Sequence, residues 1–225
     1  VTITLKYIND NEPVEVIHKD SVKISVFQAT FSIWADQPGN GGDRDVIEDR
    51  FTAPDVGHTF WLLDVQPDTY QNYITNELRA YIGHAWGFYP ETGVNPVTGS
   101  YQDNGDLRRD DNEGIHNDEL HHWEVRKKYA VTSWDKLIKA LEFTKGLNTA
   151  PIPDYRLNNF NCTDAGIQAG SKCGISVPDT TGTLLPYFSG SNPGDLGEDL
   201  MNEGGVRNSD SNDDSPSGDS TWWKK

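Results

Sequence analysis

The spacing of apolar and polar positions divides the chain into a β-rich beginning and a mixed second half. Alternation over residues 1–7 and again over 22–34 favours strands. Residues 57–65 are mostly apolar on both faces of a strand, which is typical of an interior position in a sheet. Residues 82–89 predict a further strand, which Pro90 ends because proline has no N–H to donate to a neighbour.

Helical spacing appears after these strands. Trp134, Leu137 and Leu141 recur with a period of about 3.6 residues, and they predict a helix that begins at Thr132-Ser133-Trp134-Asp135 and ends at Gly146. Residues 91–119 are rich in Gly, Asn and Asp and predict a long loop. Residues 121–125 predict a short strand in front of the helix.

A second helix start is predicted at residues 161–164. Asn161 is the expected N-cap, Cys162 the first helical residue, and Asp164 the residue whose side chain bonds back to the cap. Small residues continue the helix to a stop at Gly174. Strands and helices together predict an α+β protein in which an antiparallel sheet packs against the helix that carries Cys162.

We expect one folded domain at residues 31–201, with an addition at each end. Residues 1–30 are predicted to form an N-terminal β extension. Residues 202–225 form an acidic tail of Ser, Asp and Asn, which buries too little apolar surface to offset its ordering entropy and is predicted to be disordered. Because the chain starts at Val1 without Met or a basic-then-apolar leader, we expect a processed form or an excised domain.

Charge and composition exclude several classes of partner and site. The chain has 19 basic and 35 acidic residues and a formal net charge of −16, which repels a polyphosphate backbone, so we expect no nucleic-acid partner. No apolar run reaches roughly 18 residues, so we expect no membrane partner. The two cysteines, Cys162 and Cys173, are too few for a disulfide scaffold or a cysteine-rich zinc site, and we expect free thiols.

Cys162 is the strongest candidate for chemistry. At the first position of a helix, the macrodipole and the unpaired N–H groups favour a thiolate, so we expect a pKa below the ordinary value of about 8.5. The same N–H groups, with Asn161, Thr163 and Asp164 as cap support, are candidates to hold an oxyanion. The carboxylate of Asp164 opposes thiolate formation. The alternative interpretation is that Cys162 is a small buried apolar residue, as most free cysteines are.

Histidines supply the candidate bases. His58 opens an apolar strand, where an imidazole has no packing reason to be, and we expect it within hydrogen-bond reach of the Cys162 sulfur. His84 is the candidate third member of a Cys-His-polar triad, with Asp64 or a residue near His122 as alternatives.

The sequence predicts no metal and no cofactor. His121 and His122 are adjacent on a predicted strand and would point to opposite faces, so a shared metal is not expected. The acidic segment 103–106 has calcium-type ligands but lacks a loop closed by Glu at its last position.

The order of these motifs resembles a known superfamily. Gly57-His58-Thr59-Phe60, then Gly87-Phe88-Tyr89-Pro90, then Asn161-Cys162-Thr163-Asp164 resemble circularly permuted papain-like proteins of the NlpC-type cell-wall peptidase superfamily, including its lecithin:retinol acyltransferase-like relatives. The resemblance implies a papain-like fold with Cys162 as nucleophile, His58 as base and His84 as third residue. In the same motif of these proteins a larger apolar residue is usual where this chain has Ala165.

The resemblance also implies a function, and two alternative functions stay open beside it. It implies a thiol-dependent bacterial hydrolase, secreted or in the cell envelope, that cleaves amide bonds in peptidoglycan peptides through a thioester. For a toxin, an inhibitory partner protein would be expected. One alternative is an acyltransferase or esterase that uses the same site. Another is a non-catalytic β-rich module that binds glycan or protein through Trp61, Trp86 and Trp123.

Overall fold

The computed structural model describes residues 2–5, 18–21, 28–37, 57–66, 72–92, 94, 102–110, 123–178, 182–185 and 188–208. The strands within these ranges are β1 (Thr2–Leu5), β2 (His18–Ser21), β3 (Gln28–Asp36), β4 (His58–Gln66), β5 (Ala85–Pro90), β6 (Gln102–Asp110), β7 (Val125–Val131), β8 (Asp154–Arg156), β9 (Gly182–Leu185), β10 (Phe188–Gly190) and β11 (Val206–Arg207). The helices are α1 (Asn76–Arg79), α2 (Trp134–Gly146), α3 (Cys162–Lys172) and α4 (Pro193–Asn202). Part of the predicted loop 91–119, residues His121 and His122, and the tail from 209 onward lie outside the described residues.

Seven strands form one antiparallel sheet in the order β11-β7-β3-β4-β5-β6-β8. The strands β3 and β4 lie at its centre and pair over nine residues each, from Gln28 opposite Gln66 to Asp36 opposite His58. The central position explains why the predicted interior strand is apolar on both faces. A mixed α+β architecture with a large antiparallel sheet, predicted from the sequence, is confirmed.

Three helices cover one face of this sheet. The main core cluster takes residues from α2, α3 and α4 and from alternate positions of the strands, such as Phe31 and Ile33 on β3 and Trp61 and Leu63 on β4. Because side chains alternate along a strand, the neighbouring positions face the other way. There Trp34, Phe60 and Ala85 form a second buried cluster.

Small residues let α3 approach the sheet closely. A Cβ at Gly170 would lie 2.4 Å from Val177 Cγ2 and 3.1 Å from Phe31 Cε1, and a Cβ at Gly166 would lie 3.0 Å from Thr59 Cγ2. The predicted end of the helix is confirmed: Cys173 is the C-cap, and Gly174 follows with a φ of +69°. The short side chains of this helix therefore place its first turn directly against β4.

Several boundaries differ from the sequence-based predictions. Strand β6 lies inside the predicted loop 91–119, and its Leu107 is buried opposite Phe88. Of the strand predicted at 121–125, Trp123 and Glu124 lie before the strand that forms, and β7 begins at Val125. The tail predicted to be disordered from residue 202 contributes β11, which pairs with β7. Strand β3 begins at Gln28, two residues before the predicted end of the N-terminal extension.

Candidate active site

Buried polar groups concentrate at one end of the large sheet. Among the described residues eleven polar or charged side chains are buried, and nine of them lie at this end. They are Gln37, His58, Thr59, Glu124, Asn161, Thr163, Ser191, Asn192 and Asp195. Burying polar groups is costly unless they are hydrogen-bonded, so such a concentration distinguishes this end from the apolar middle of the sheet. We call these nine residues the polar end.

Hydrogen bonds from Gln37 tie the polar end together. The N–H of Gln37 donates to Glu124 Oε2 at 2.6 Å, and its side-chain amide donates to the carbonyl of Gly194 at 2.9 Å. Arg207 donates to Gln37 Oε1 at 3.3 Å and to Glu198 Oε1 at 3.1 Å. The start of β7, the first turn of α4 and the late strand β11 are thereby fixed to the end of β3.

The beginnings of α3 and α4 meet at this end. The side-chain amide of Asn161 donates to the carbonyl of Ser191 at 2.8 Å. Asn192 caps α4 by accepting from the N–H of Asp195 at 2.9 Å. Two helix starts therefore lie side by side next to the first residues of β4.

The predicted cap of α3 is confirmed. Asn161 Oδ1 accepts from the N–H groups of Thr163 at 2.8 Å and Asp164 at 3.1 Å, and Asp164 Oδ2 accepts from the N–H of Asn161 at 3.0 Å. Cys162 is the first helical residue. The cap already occupies two of the N–H groups predicted to hold an oxyanion. Asn161, Thr163 and Asp164 thus support the helix start, while the N–H of Cys162 is not used by the cap.

The Cys162 sulfur has polar neighbours although the residue is 3% exposed. The phenol of Tyr155 donates to it at a distance of 3.8 Å. The backbone N–H of Thr59 and the side chain of Thr163 also hydrogen-bond the sulfur and favour the thiolate. The Thr163 hydroxyl lies 2.9 Å from that of Thr59, which joins the helix to β4.

The expectation of a lowered thiol pKa is wrong for this structure. Burial raises the pKa of Cys162 above its usual range, and the three hydrogen bonds to the sulfur oppose that rise without cancelling it. The carboxylate of Asp164 adds to the rise. The thiol is therefore protonated at neutral pH.

His58 lies on the other side of β4. It is 1% exposed, its ring stacks on Tyr89 with centroids 4.2 Å apart, and a Cβ added to Gly87 would come within 2.5 Å of its Nε2. The register places it opposite Asp36 on β3. The His58 ring lies on the face of the sheet that carries Phe60. None of the described helices contributes to the cluster on that face.

Strand alternation explains why the structure does not bring Cys162 and His58 together. The sulfur contacts the peptide N–H of Thr59, the residue directly after His58, and the Thr59 side chain faces α3. Successive side chains on a strand point to opposite faces, so the His58 ring points away from the sulfur. The segment that contains His58 therefore contacts the sulfur through the backbone N–H of Thr59 and not through the imidazole. The expected imidazole–thiol pair is not formed.

His84 lies far from both residues. It directly precedes β5, where Ala85 pairs with Leu62, so it is level with Leu63. Leu63 is five residues along β4 from His58, or roughly 16 Å at the rise of an extended chain. His84 therefore does not orient His58 here. Of the two alternatives, Asp64 lies still further along β4 and bonds the N–H of Val65 and the Gln66 side chain, and His122 is outside the described residues.

Sequence reasoning missed Tyr155 as a neighbour of the sulfur. Tyr155 is buried on β8, between Asp154 and Arg156, which pair on the outside at 3.0 Å. A single aromatic residue between two charged ones is a strand pattern that turns the ring inward. That signal was present, but a three-residue strand is too short to be recognised by periodicity.

The aromatic rings proposed for a binding surface are mostly core. Trp61 is fully buried and Trp86 is 9% exposed, and both belong to the main cluster. Trp123 is partly buried with Arg126 over its ring at 5.2 Å. The expectation that Trp61 and Trp86 form an exposed binding surface is therefore wrong.

Other features of the described residues bear on the site. They contain no group of three or more His, Cys, Asp or Glu side chains placed to hold a metal ion. None of the helices described is long and apolar enough to cross a membrane. Cys162 and Cys173 are both free thiols.

Comparison with known proteins adds no relative. No protein-family model matches the chain, and neither a curated protein nor a solved structure shows significant similarity to it.

Proposed function

We propose that this protein is a thiol-dependent hydrolase that cleaves amide bonds and uses Cys162 as its nucleophile. The observation that carries the proposal is the convergence of three hydrogen-bond donors on one buried sulfur, from Thr59, Tyr155 and Thr163. A cysteine that served packing alone would have apolar neighbours. Cys173 at the end of the same helix provides that contrast, because no hydrogen bond from the described residues contributes to the pKa of its thiol.

The surroundings support acyl transfer in particular. Cys162 lies at a capped helix start, where the helix dipole favours developing negative charge. In the proposed reaction the sulfur attacks a carbonyl carbon, the C–N bond breaks, and the thiol proton passes to the departing amine. Water then cleaves the thioester, which releases a carboxylate and restores the thiol. The N–H of Cys162 hydrogen-bonds the Tyr155 phenol, so the helix dipole is what this helix start contributes to the oxyanion of both steps.

The proposal keeps the nucleophile of the papain-like resemblance and does without its triad. Because the thiol is protonated at neutral pH and His58 points away from it, the reaction does not start from an ion pair of thiolate and imidazolium. Activity is then expected to rise toward alkaline pH as the thiolate fraction grows. This distinguishes the proposed enzyme from papain-like enzymes that work at mildly acidic pH.

Peptide amides of bacterial peptidoglycan are the proposed substrate class, and the cell envelope is then the proposed place of action. This choice rests on the order of the His58 and Cys162 motifs, which resembles NlpC-type cell-wall peptidases. An acyltransferase like the acyltransferase-like members of that superfamily would form the same thioester. It would differ from the hydrolase in passing the acyl group to an amine or a lipid in place of water.

Digestion of purified peptidoglycan and its soluble peptides tests the proposal. We expect the unmodified chain to release new amino and carboxyl groups, and Cys162→Ala to lose turnover by about a thousandfold or more, because the covalent route disappears. Cys173→Ala is the matched control, since it removes the other free thiol of the same helix and should keep its turnover. Mass spectrometry of the products identifies the bond cleaved and any acceptor other than water.

Two results would contradict this proposal. Equal turnover by Cys162→Ala and the unmodified chain would remove the thiol from the reaction. Failure of the unmodified, folded chain to cleave any peptidoglycan peptide or simple amide or ester between neutral and alkaline pH would remove hydrolysis itself.

A further inference from the structure

We propose that Tyr155 is a positioning residue for Cys162: its phenol O–H holds the sulfur in place and stabilises the negative charge that the sulfur carries when it reacts. The inference deepens the proposed function and rests on it, since it assigns a residue to the same nucleophile. It starts from the contact between the phenol oxygen and the sulfur, at 3.8 Å between two buried side chains.

The backbone fixes the distance between the two groups. Strand β8 is followed by a tight turn in which the N–H of Arg156 donates to the carbonyl of Phe160 at 2.8 Å and the N–H of Phe160 donates to the carbonyl of Arg156 at 3.0 Å. The helix cap at Asn161 follows at once. Tyr155 and Cys162 therefore lie at the two ends of one closed turn, which keeps their backbones close together.

Packing fixes the direction of the ring. Tyr155 is 5% exposed, and its ring lies 5.7 Å from that of Phe88, which in turn contacts Phe160 at 5.2 Å. A Cβ at Gly105 would meet Phe88 Cζ at 2.2 Å, so a glycine on β6 makes room for this aromatic group. The rings hold the phenol oxygen over the start of α3 with little freedom to turn.

The chemistry of the pair gives the phenol a donor role. Burial raises the pKa of Tyr155 well above its usual range, and the nearby sulfur adds to the rise. The phenol thus keeps its proton beyond the pH at which an ordinary tyrosine ionises, and it donates to the sulfur. A buried tyrosine O–H needs an acceptor, and a phenylalanine would fill the same space without one. The contact with Cys162 explains why the hydroxyl is present.

The test compares three chains that all carry Cys173→Ala, so that Cys162 is the one remaining thiol. The first has no further change, the second adds Tyr155→Phe, and the third adds Tyr129→Phe as the matched control. Tyr129 is another phenol on this sheet, and it donates to Glu203 Oε2 at 3.1 Å. The position of the S–H infrared band reports the hydrogen bonds of the sulfur at neutral pH, and the pH profile of turnover reports the acidity of the thiol.

We expect Tyr155→Phe to shift the S–H band and to move the turnover profile about one pH unit upward. Loss of one hydrogen bond to a charged atom is worth about a tenfold change in ionisation, so kcat at a fixed pH should fall about tenfold with KM little changed. Tyr129→Phe should leave the band and the profile where they are. Should Tyr155→Phe fail to fold, site-specific 3-fluorotyrosine at position 155 keeps the ring, makes the phenol a stronger donor, and must still move the band.

The outcomes separate this inference from the proposed function. An unmoved S–H band in a folded Tyr155→Phe chain would overturn the inference, and hydrolysis by Cys162 would be judged on turnover alone. A shifted band without turnover in any of the three chains would overturn hydrolysis and, with it, the positioning role of Tyr155 in that reaction. A moved band with an unchanged pH profile would also overturn the positioning role.

Discussion

The two ends of α3 carry the same side chain in different surroundings. Cys162 at the first position and Cys173 at the C-cap are both buried, at 3% and 1% exposure. At Cys162 hydrogen-bond donors oppose the effect of burial, whereas at Cys173 burial raises the pKa to about 12 and the charge of Lys136 is what opposes it. Burial alone therefore does not distinguish the two cysteines, whereas the hydrogen-bond donors around the sulfur do.

The largest effect that we expect to distinguish the two cysteines is that of Cys173 on the stability of the fold at alkaline pH. In the unfolded chain the Cys173 thiol loses its proton near pH 9, whereas burial in the folded chain raises its pKa to about 12. Its raised pKa thus stabilises the fold fully below pH 9, and this contribution is lost as the pH rises toward 12. Between pH 9 and 12 this thiol makes the unfolding free energy fall by about 1.4 kcal/mol per pH unit. We expect Cys173→Ala to lack this decrease.

Urea unfolding at pH 8 and at pH 11 measures this slope for the unmodified chain and for Cys173→Ala. The cavity left by the missing sulfur costs stability at both pH values, so the slopes and not the absolute free energies are compared. Identical slopes in the two chains would show that the Cys173 thiol ionises in the folded protein as readily as in the unfolded one.

A second prediction concerns the packing of the Cys173 end. Alanine at Gly170 would place a Cβ 2.4 Å from Val177 Cγ2 and 3.1 Å from Phe31 Cε1, so either the helix or these side chains must shift. We expect Gly170→Ala to lower the unfolding free energy by about 1 to 3 kcal/mol, as overpacking usually does. Gly146→Ala is the control, because a Cβ there meets nothing within 4 Å and alanine favours a helix.

The position of the change matters as much as its size. Because Gly170 lies near the C-terminal end of α3, Gly170→Ala should speed alkylation of Cys173 more than that of Cys162, as peptide mass spectrometry would measure. An equal increase in the alkylation rates of Cys162 and Cys173 would show that α3 moves as one rigid piece. The two ends of the helix would then not respond independently.

The same contrast shows what could be predicted from the sequence. The cap formed by Asn161 and Asp164 and the end at Gly174 depend on residues within a few positions of one another, and they were predicted correctly. Strand β6 was missed because Gln102–Asp110 is strongly polar, with Leu107 as its one apolar residue, so it shows no apolar alternation although it pairs with β5. Local signals specify helix ends, whereas a polar strand such as β6 depends on pairing partners that periodicity does not identify.

The candidate site followed the same rule. The position of Cys162 at the helix start was predicted, and so was the strand that begins at His58. The direction of each side chain on that strand depends on register, and a shift of one residue would exchange Thr59 for His58 next to α3. The phenol of Tyr155 comes from β8, whose three residues follow no recognisable period.

The smallest expected effect tests the separation of His58 from the sulfur. In a chain with Cys173→Ala, we expect His58→Phe to leave the S–H infrared band of Cys162 unchanged, because the ring at position 58 packs on Tyr89 and Phe60 on the other face of β4. Phenylalanine keeps a ring in that stack, and urea unfolding verifies that the variant is folded. A band that moves as far as it does in Tyr155→Phe would mean that the imidazole contacts the sulfur in solution. The first residues of β4 would then turn their side chains by one position, and the Cys162–His58 pair implied by the motif order would replace the separated arrangement as the chemical unit of the site.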